Sequence, residues 1–228
     1  MTLFNVIRSE ESPSCLSDNG QDYRQEEVIQ ALRKVFHSKC YLCERDAVQD
    51  VEIEHFVPRA AGGGVTDWNN LFYSCRRCNG IKSNRHVGLL DCTDPRTDVF
   101  AEIRLRASVV ISDDVLVTPT SERPSQETVN TIELLRECYN NKSTALRRIS
   151  REHLMESILE KMVLFVQARL VLKNVSAIDQ DKERAKGTLI AMMRDTHPFS
   201  AFWRWQYLDD PFLMQAYPEI GEGFNAVD

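Results

Sequence analysis

The sequence predicts an α+β protein in which a small, zinc-knotted unit lies between a helical N-terminal segment and a largely α-helical C-terminal half. Three observations predict it. Two Cys-x-x-Cys pairs, Cys40/Cys43 and Cys75/Cys78, bracket two short β-rich runs. Apolar residues beyond Ser125 recur at helical rather than alternating spacing. A chain of 228 residues with 43% hydrophobic residues is long enough for one domain with a large extension, or for two small domains, each with its own core.

In chain order, residues 1–39 form the helical N-terminal segment. Asp22 is placed to cap a helix running to Phe36, with Val28, Leu32, Val35 and Phe36 on one face. Residues 40–124 hold the cysteine-bracketed unit and a following β-hairpin region. The first strand is expected at Val51–Val57 and the second at Leu71–Tyr73, with Gly62-Gly63-Gly64 in the loop between them and a helix starting near Asn79. A hairpin is expected from Ile103–Ile111 and Val115–Val117 around Ser112-Asp113-Asp114. Residues 125–228 form the helical half: Ser125 caps a helix to Tyr139, a long helix covers 143–173, and another covers 181–194. In the long helix Leu146, Ile149, Ile158, Met162, Val166 and Leu170 make the apolar stripe. The tail from Pro198 to Tyr207 is aromatic and compact.

Charge and cysteine usage narrow the class. The net charge of -6 argues against indiscriminate nucleic-acid binding, although local basic patches coexist with it. No run of about 18 apolar residues is present to span a membrane, and the apolar stretch in Met1–Arg8 is too short for a secretory signal, so a cytoplasmic location is expected. Seven cysteines without a secretory context point away from a disulfide framework. Zinc takes four ligands in a tetrahedron, and two Cys-x-x-Cys knuckles close that shell. A redox dithiol or four plain buried thiols are the competing readings. Two pairs, 31 residues apart, favour zinc with folded structure in the gap. Cys15, Cys92 and Cys138 have no matching spacing and read as ordinary buried thiols.

The gap carries the chemistry. Glu54-His55-Phe56-Val57-Pro58 is followed by Asn70-Leu71, then Cys75-x-x-Cys78-Asn79-x-x-Lys82. Taken singly, His55 is a core or surface residue, Asn70 a turn residue and Asn79 a helix cap. Taken in order, the set resembles the HNH, or ββα-metal, nuclease family over about residues 40–90. That resemblance implies a metal-dependent endonuclease of the H-N-N type. His55 is its general base, since an imidazole titrating near neutrality suits removal of a proton from water. Asn70 ties down the loop behind His55. Asn79 and Glu54 hold a catalytic Mg²⁺ or Mn²⁺, a hard ion that prefers oxygen ligands, with Glu52 as the fallback carboxylate. Cys40, Cys43, Cys75 and Cys78 hold structural Zn²⁺. In a regular strand Glu54 and His55 face opposite sides, so the strand must end or bulge there to bring both to one site.

Arg76, Arg77, Lys82 and Arg85 flank Asn79 without an acidic residue among them and are expected to contact substrate phosphates. Lys142, Arg147, Arg148 and Arg151 either extend that groove or form a solvated face. Trp203 and Trp205 could stack on bases, but a core role is the favoured one. The frame around the motif, from Leu90-Asp91-Cys92-Thr93-Asp94-Pro95 to the aromatic tail, resembles the HNH (PtuB) subunits of bacterial Septu-type anti-phage systems, which also accompany some retrons. This implies an ABC-type ATPase partner (PtuA-like), nucleic acid as substrate with DNA favoured over RNA, and possible membership of a retron RNA/DNA assembly. Residues 125–228 hold no comparable cluster of ligands or acid–base residues, and their amphipathic helices and aromatic tail supply apolar surface, so they are expected to be the partner-docking region. The alternative is a catalytically inactive HNH scaffold serving as a nucleic-acid or protein adaptor.

Overall fold

A computed structural model describes residues 6–8, 11–16, 22–46, 48–142 and 151–222. Helix α1 (Glu26–Val35) buries Val28, Leu32 and Val35, the expected face. It starts later than predicted: Gln25 is the N-cap, and the Asp22 carboxylate instead accepts from the Arg24 amide at 3.0 Å in a tight turn. Strands β1 (Val51–His55) and β2 (Leu71–Cys75) pair antiparallel, with Val51 opposite Cys75 and His55 opposite Leu71. Helix α2 (Arg76–Lys82) follows β2 without a loop, giving a ββα unit.

The region beyond it is a second small sheet and a helical layer. Helix α3 (Val99–Glu102) leads into β3 (Ile103–Arg106), which pairs antiparallel with β4 (Leu116–Pro119). The hairpin exists, but its strands are shorter than expected. Val109 and Val110 lie outside them and are exposed, because an antiparallel partner is present only for four residues. Helix α4 (Gln126–Asn140) is capped as predicted, Ser125 Oγ accepting from the Thr128 amide at 3.1 Å.

Helix α5 (Arg151–Lys173) packs antiparallel-fashion against α6 (Asp179–Met193), its most extensive neighbour. Leu146, Ile149, Arg147 and Arg148 lie outside the described residues. Within α5 the buried stripe is Leu154, Ile158, Met162, Phe165, Ala168 and Leu172, while Val166 and Leu170 are exposed. From Ile158 onward the expected stripe advances in steps of four residues, and each such step drifts about 40° around a 3.6-residue helix, so its later members rotate out of the core.

The aromatic tail forms α7 (Ser200–Leu208), followed by α8 (Pro211–Ala216) and α9 (Glu219–Glu222). Trp203 is buried against Phe165 and Phe202, and Trp205 stacks on Phe100 with ring centroids 4.8 Å apart. Both tryptophans are packing residues.

Buried polar contacts cross the expected boundaries near residues 39 and 124. Lys39 Nζ donates to the His197 carbonyl at 3.0 Å and pairs with Glu44, whose carboxylate also accepts from Ser200 Oγ at 3.2 Å. Arg77 donates to the carbonyls of Cys138 and Asn141 at the end of α4. The core therefore runs continuously from the ββα unit into the helical layer.

Candidate active site

The four paired cysteines converge. Cys40 and Cys43 come from the knuckle before β1, Cys75 caps α2 and Cys78 lies in its first turn. Their sulfurs lie within 4.8 Å of one another and all four residues are buried. A zinc ion with bonds of about 2.3 Å needs sulfurs roughly 3.8 Å apart, so this cluster has the dimensions and the soft donors for it. The knuckle is fixed by backbone bonds from the Glu44 amide to the Cys40 carbonyl (2.9 Å) and from the Cys40 amide to the Arg45 carbonyl (3.0 Å). Cys92 and Cys138 are buried outside the cluster and Cys15 is half-buried.

Beside the thiol cluster, a cleft of about 630 Å³ is lined by Glu52, Glu54, His55, Arg59 and Asn79, and on its other side by Tyr23 and Arg24. In the described sheet β1 pairs only with β2, so its outer edge is free and consecutive residues of the strand border the cleft. That edge, together with the end of the strand at His55, is how Glu54 and His55 reach one site without a shared face.

Asn70 sits behind His55 as expected. Its Oδ1 accepts from the Val57 amide at 2.7 Å, and its Nδ2 donates to the carbonyls of Val57 (3.0 Å) and Gly64 (3.1 Å). Gly63 completes this clamp: a Cβ there would lie 1.8 Å from the Val57 oxygen and 2.7 Å from Asn70 Nδ2. The His55 ring makes an Nε2 contact with the Val65 carbonyl at 3.0 Å and meets the Tyr23 ring edge-on at 4.7 Å. Burial holds the imidazole below its ordinary pKa; the nearby charges of Arg59, Lys82 and Arg24 act the same way, and the Val65 contact opposes them.

The two carboxylates differ. Glu52 is half-buried; one oxygen accepts from Asn79 Nδ2 and the other lies 3.7 Å from Arg76. Glu54 is buried and pairs with Lys82 Nζ at 2.7 Å, and that ammonium also donates to the His55 carbonyl at 3.0 Å. Burial pushes the Glu54 carboxyl up to about 7 against the pull of Lys82. The expectation that Glu54 is the ready metal ligand therefore meets a competitor: its charge is already answered by Lys82, while Glu52 is the carboxylate in contact with Asn79.

The expected row of phosphate contacts is thinned. Arg77 and Lys82 are turned inward, at 1% and 0% exposure, and their donors serve protein acceptors, so neither faces a substrate. Arg76 and Arg85 are exposed but stand beside Glu52 and Glu137. Arg151 is buried, donating to the Ile111 and Asp113 carbonyls, which removes it from any groove. Helix periodicity could have flagged Arg77, which shares the inner face of α2 with Cys78 and Ile81. Sequence reasoning missed Tyr23, Arg24 and Arg59 at the cleft; for the first two no local signal exists, because they reach the site from before α1.

Comparison with known proteins agrees with this geometry. Residues 40–90 match a family model described as HNH endonuclease. The chain is 38% identical over 73 residues to Septu protein PtuB of Bacillus mycoides (strain KBAB4), with 25% of this chain and 25% of that protein covered. It is 39% identical over 72 residues to Septu protein PtuB of Bacillus thuringiensis, covering 30% of this chain and 28% of that protein. The chain thus spans little more than a quarter of the length of these curated relatives. No solved structure matches. Among the described residues no helix is long and apolar enough to cross a membrane. Residues 40–90, with their four clustered thiols and ββα unit, thus match the HNH endonuclease family model, in a chain that resembles PtuB over part of its length.

Proposed function

We propose that this chain is a metal-dependent endonuclease that hydrolyses phosphodiester bonds, and that it acts in a Septu-type anti-phage defence system. The observation that carries the reading is the meeting of His55, Asn79 and two β1 carboxylates in one cleft beside the thiol cluster. The Val65 carbonyl favours the tautomer with a proton on His55 Nε2, which leaves Nδ1 with the lone pair to take a proton from the attacking water. Asn70 and Gly63 keep the loop behind His55 in place. Zn²⁺ on Cys40, Cys43, Cys75 and Cys78 is structural. Asn79 with Glu52, or with Glu54 once freed from Lys82, would hold Mg²⁺ or Mn²⁺; when bound, that ion relieves charge on the scissile phosphate.

The test is incubation of the full chain with supercoiled plasmid and with total RNA, with and without Mn²⁺. Wild type is expected to cut one of them, and His55→Ala to lose cutting by at least a hundredfold, the lower range for a general base, while keeping zinc and its melting temperature. Mn²⁺ binding followed by electron paramagnetic resonance then separates the carboxylates. Glu52→Gln is expected to weaken it more than Glu54→Gln, and the reverse order would assign the ion to Glu54. No cutting of either polymer by zinc-loaded wild type would leave the adaptor reading in its place.

The resemblance to Septu proteins supports an ABC-type ATPase as partner, and we assign its docking to the helical half. Helix α5 leaves Val163, Leu164, Val166 and Leu170 exposed, more apolar surface than a solvated helix needs. Removing residues beyond 124 is a poor test, since Arg77 would lose its acceptors on α4. Val163→Glu/Leu170→Glu in the full chain should abolish co-purification with the ATPase; unchanged co-purification would move docking elsewhere.

A further inference from the structure

The cleft holds two cations that the HNH motif does not contain. Arg59 stands on the short 3₁₀ turn Arg59–Ala61, just past His55, and Arg24 stands on the segment before α1. Both side chains are exposed and both line the cleft with His55 and Asn79. Neither has a carboxylate partner among the described residues. The four cations near Asn79 that the sequence pointed to are different: two are buried and two stand beside carboxylates.

Their placement is built rather than incidental. The Arg24 guanidinium lies over the Tyr23 ring at 5.0 Å, and that ring packs edge-on against His55 at 4.7 Å. Tyr23 itself is only 8% exposed, so it is a fixed support that ties the position of Arg24 to that of the imidazole. Arg59 is held by the loop that Asn70 clamps: the Gly63 amide donates to the Pro58 carbonyl, and Asn70 holds Val57. One cation thus reaches the cleft from each side of His55 in sequence, one from the N-terminal segment and one from the nuclease unit. The carboxylates Glu52 and Glu54 line the same cleft. A phosphodiester needs both kinds of neighbour: acids to carry a metal ion, and free cations to hold the flanking anionic backbone.

We propose that Arg24 and Arg59 form the clamp that holds the substrate's phosphate backbone across the cleft, making the N-terminal segment part of the nucleic-acid site. This rests on the nuclease reading above. Planar guanidinium groups suit bidentate contacts to phosphate oxygens. The chemistry recognised is the phosphodiester backbone, shared by DNA and RNA.

The test uses the full chain, fluorescein-labelled DNA and RNA of the same sequence, and anisotropy titrations over a series of salt concentrations without added Mg²⁺ or Mn²⁺. Arg24→Gln and Arg59→Gln are compared with Arg123→Gln, an exposed arginine before α4 that removes the same charge away from the cleft. Each cleft variant should lower the slope of log affinity against log salt by about one, and the double variant by about two. Arg123→Gln should leave the slope unchanged, and all variants should keep wild-type zinc content and melting temperature. The polymer whose binding falls identifies the source of the phosphate. A double variant that binds with the wild-type slope and affinity overturns the clamp and leaves the nuclease reading intact. A wild-type chain that binds neither polymer and cuts neither plasmid nor RNA overturns both.

Discussion

The ββα unit and the helical layer over residues 151–222 are held together by different means. In the unit, the sulfur cluster and directed hydrogen bonds fix the backbone, and its sheet is a single pair of five-residue strands. A two-stranded ribbon has little independent stability, so besides the packing of β2 beneath α1 and of α2 against α4, the Asn70 clamp and the cysteine knot, once it holds a metal, would fix the loops of the unit. In the helical layer, burial of Phe165, Trp203, Leu189 and Met193 supplies it, and the polar groups mostly finish helix ends. The contrast teaches where each region is sensitive: the first to single donor atoms, the second to volume.

The strongest way to break that contrast is to remove one sulfur. Cys78→Ser should abolish stoichiometric zinc, because the remaining three thiolates no longer close the shell. Zinc binding in small domains is worth on the order of 10 kcal/mol of folding free energy, so amide hydrogens in β1, β2 and α2 should lose protection. Those in α5 and α6 should keep it, since their contacts are chiefly with each other and with the tail. Hydrogen exchange with mass spectrometry reads both regions in one experiment. Simultaneous loss throughout would mean that the shared core makes the two regions one cooperative unit.

A glycine-to-alanine pair tests the same contrast with smaller changes of opposite sign. At Gly63 the new Cβ collides with the Val57 carbonyl and with Asn70 Nδ2, so the clamp must open and leave buried donors unpaired. The expected loss is about 1–3 kcal/mol, together with a fall in cutting as His55 loses its support. At Gly187, inside α6, a Cβ meets nothing within 4 Å. There alanine should stabilise by about 0.5–1 kcal/mol through helix propensity and lower unfolded-state entropy. Denaturant titration measures both. Equal effects at the two positions would show that the clamp is not held as tightly as its geometry requires.

What was legible in the sequence follows from the same difference. The order Cys40, Cys43, His55, Asn70, Cys75, Cys78, Asn79 was readable because each residue type has a narrow chemical use at that spacing. The cap at Ser125 was readable because capping is local. Whether a cation is free or buried was only partly readable, because it depends on what packs above it: periodicity puts Arg77 on the inner face of α2, but its acceptors at the end of α4 and the Glu54 carboxylate that takes Lys82 are remote in sequence. The contribution of Tyr23 and Arg24 was equally hidden, as it depends on how a segment some thirty residues upstream returns to the strand end. The drift of the buried stripe along α5 shows the same limit within one helix: an approximate period identifies the element but not which residues stay inside.

The seam between the two regions yields the smallest expected effect and the one most dependent on pH. His197 precedes α7, its Nδ1 meets the Pro198 carbonyl at 2.8 Å, and its own carbonyl accepts from Lys39. Burial holds its imidazole below the ordinary value; the charges of Lys161 and Lys39 push the same way, and the Pro198 contact and Asp46 oppose them. With the folded pKa lower than the unfolded one, the unfolded chain binds more protons across the interval between them, so stability falls as the medium is acidified. The loss begins as pH drops through about 6.5, the unfolded value, and levels off below the folded pKa. Melting temperatures from about pH 8 to about pH 5.5 should therefore fall for wild type and fall less for His197→Asn, which cannot take up the proton. The carboxylates elsewhere contribute to both proteins alike, so the difference between the two curves isolates this one group. Parallel curves would remove His197 from the acid response and leave Lys39 and Glu44 as the polar fastening of the seam.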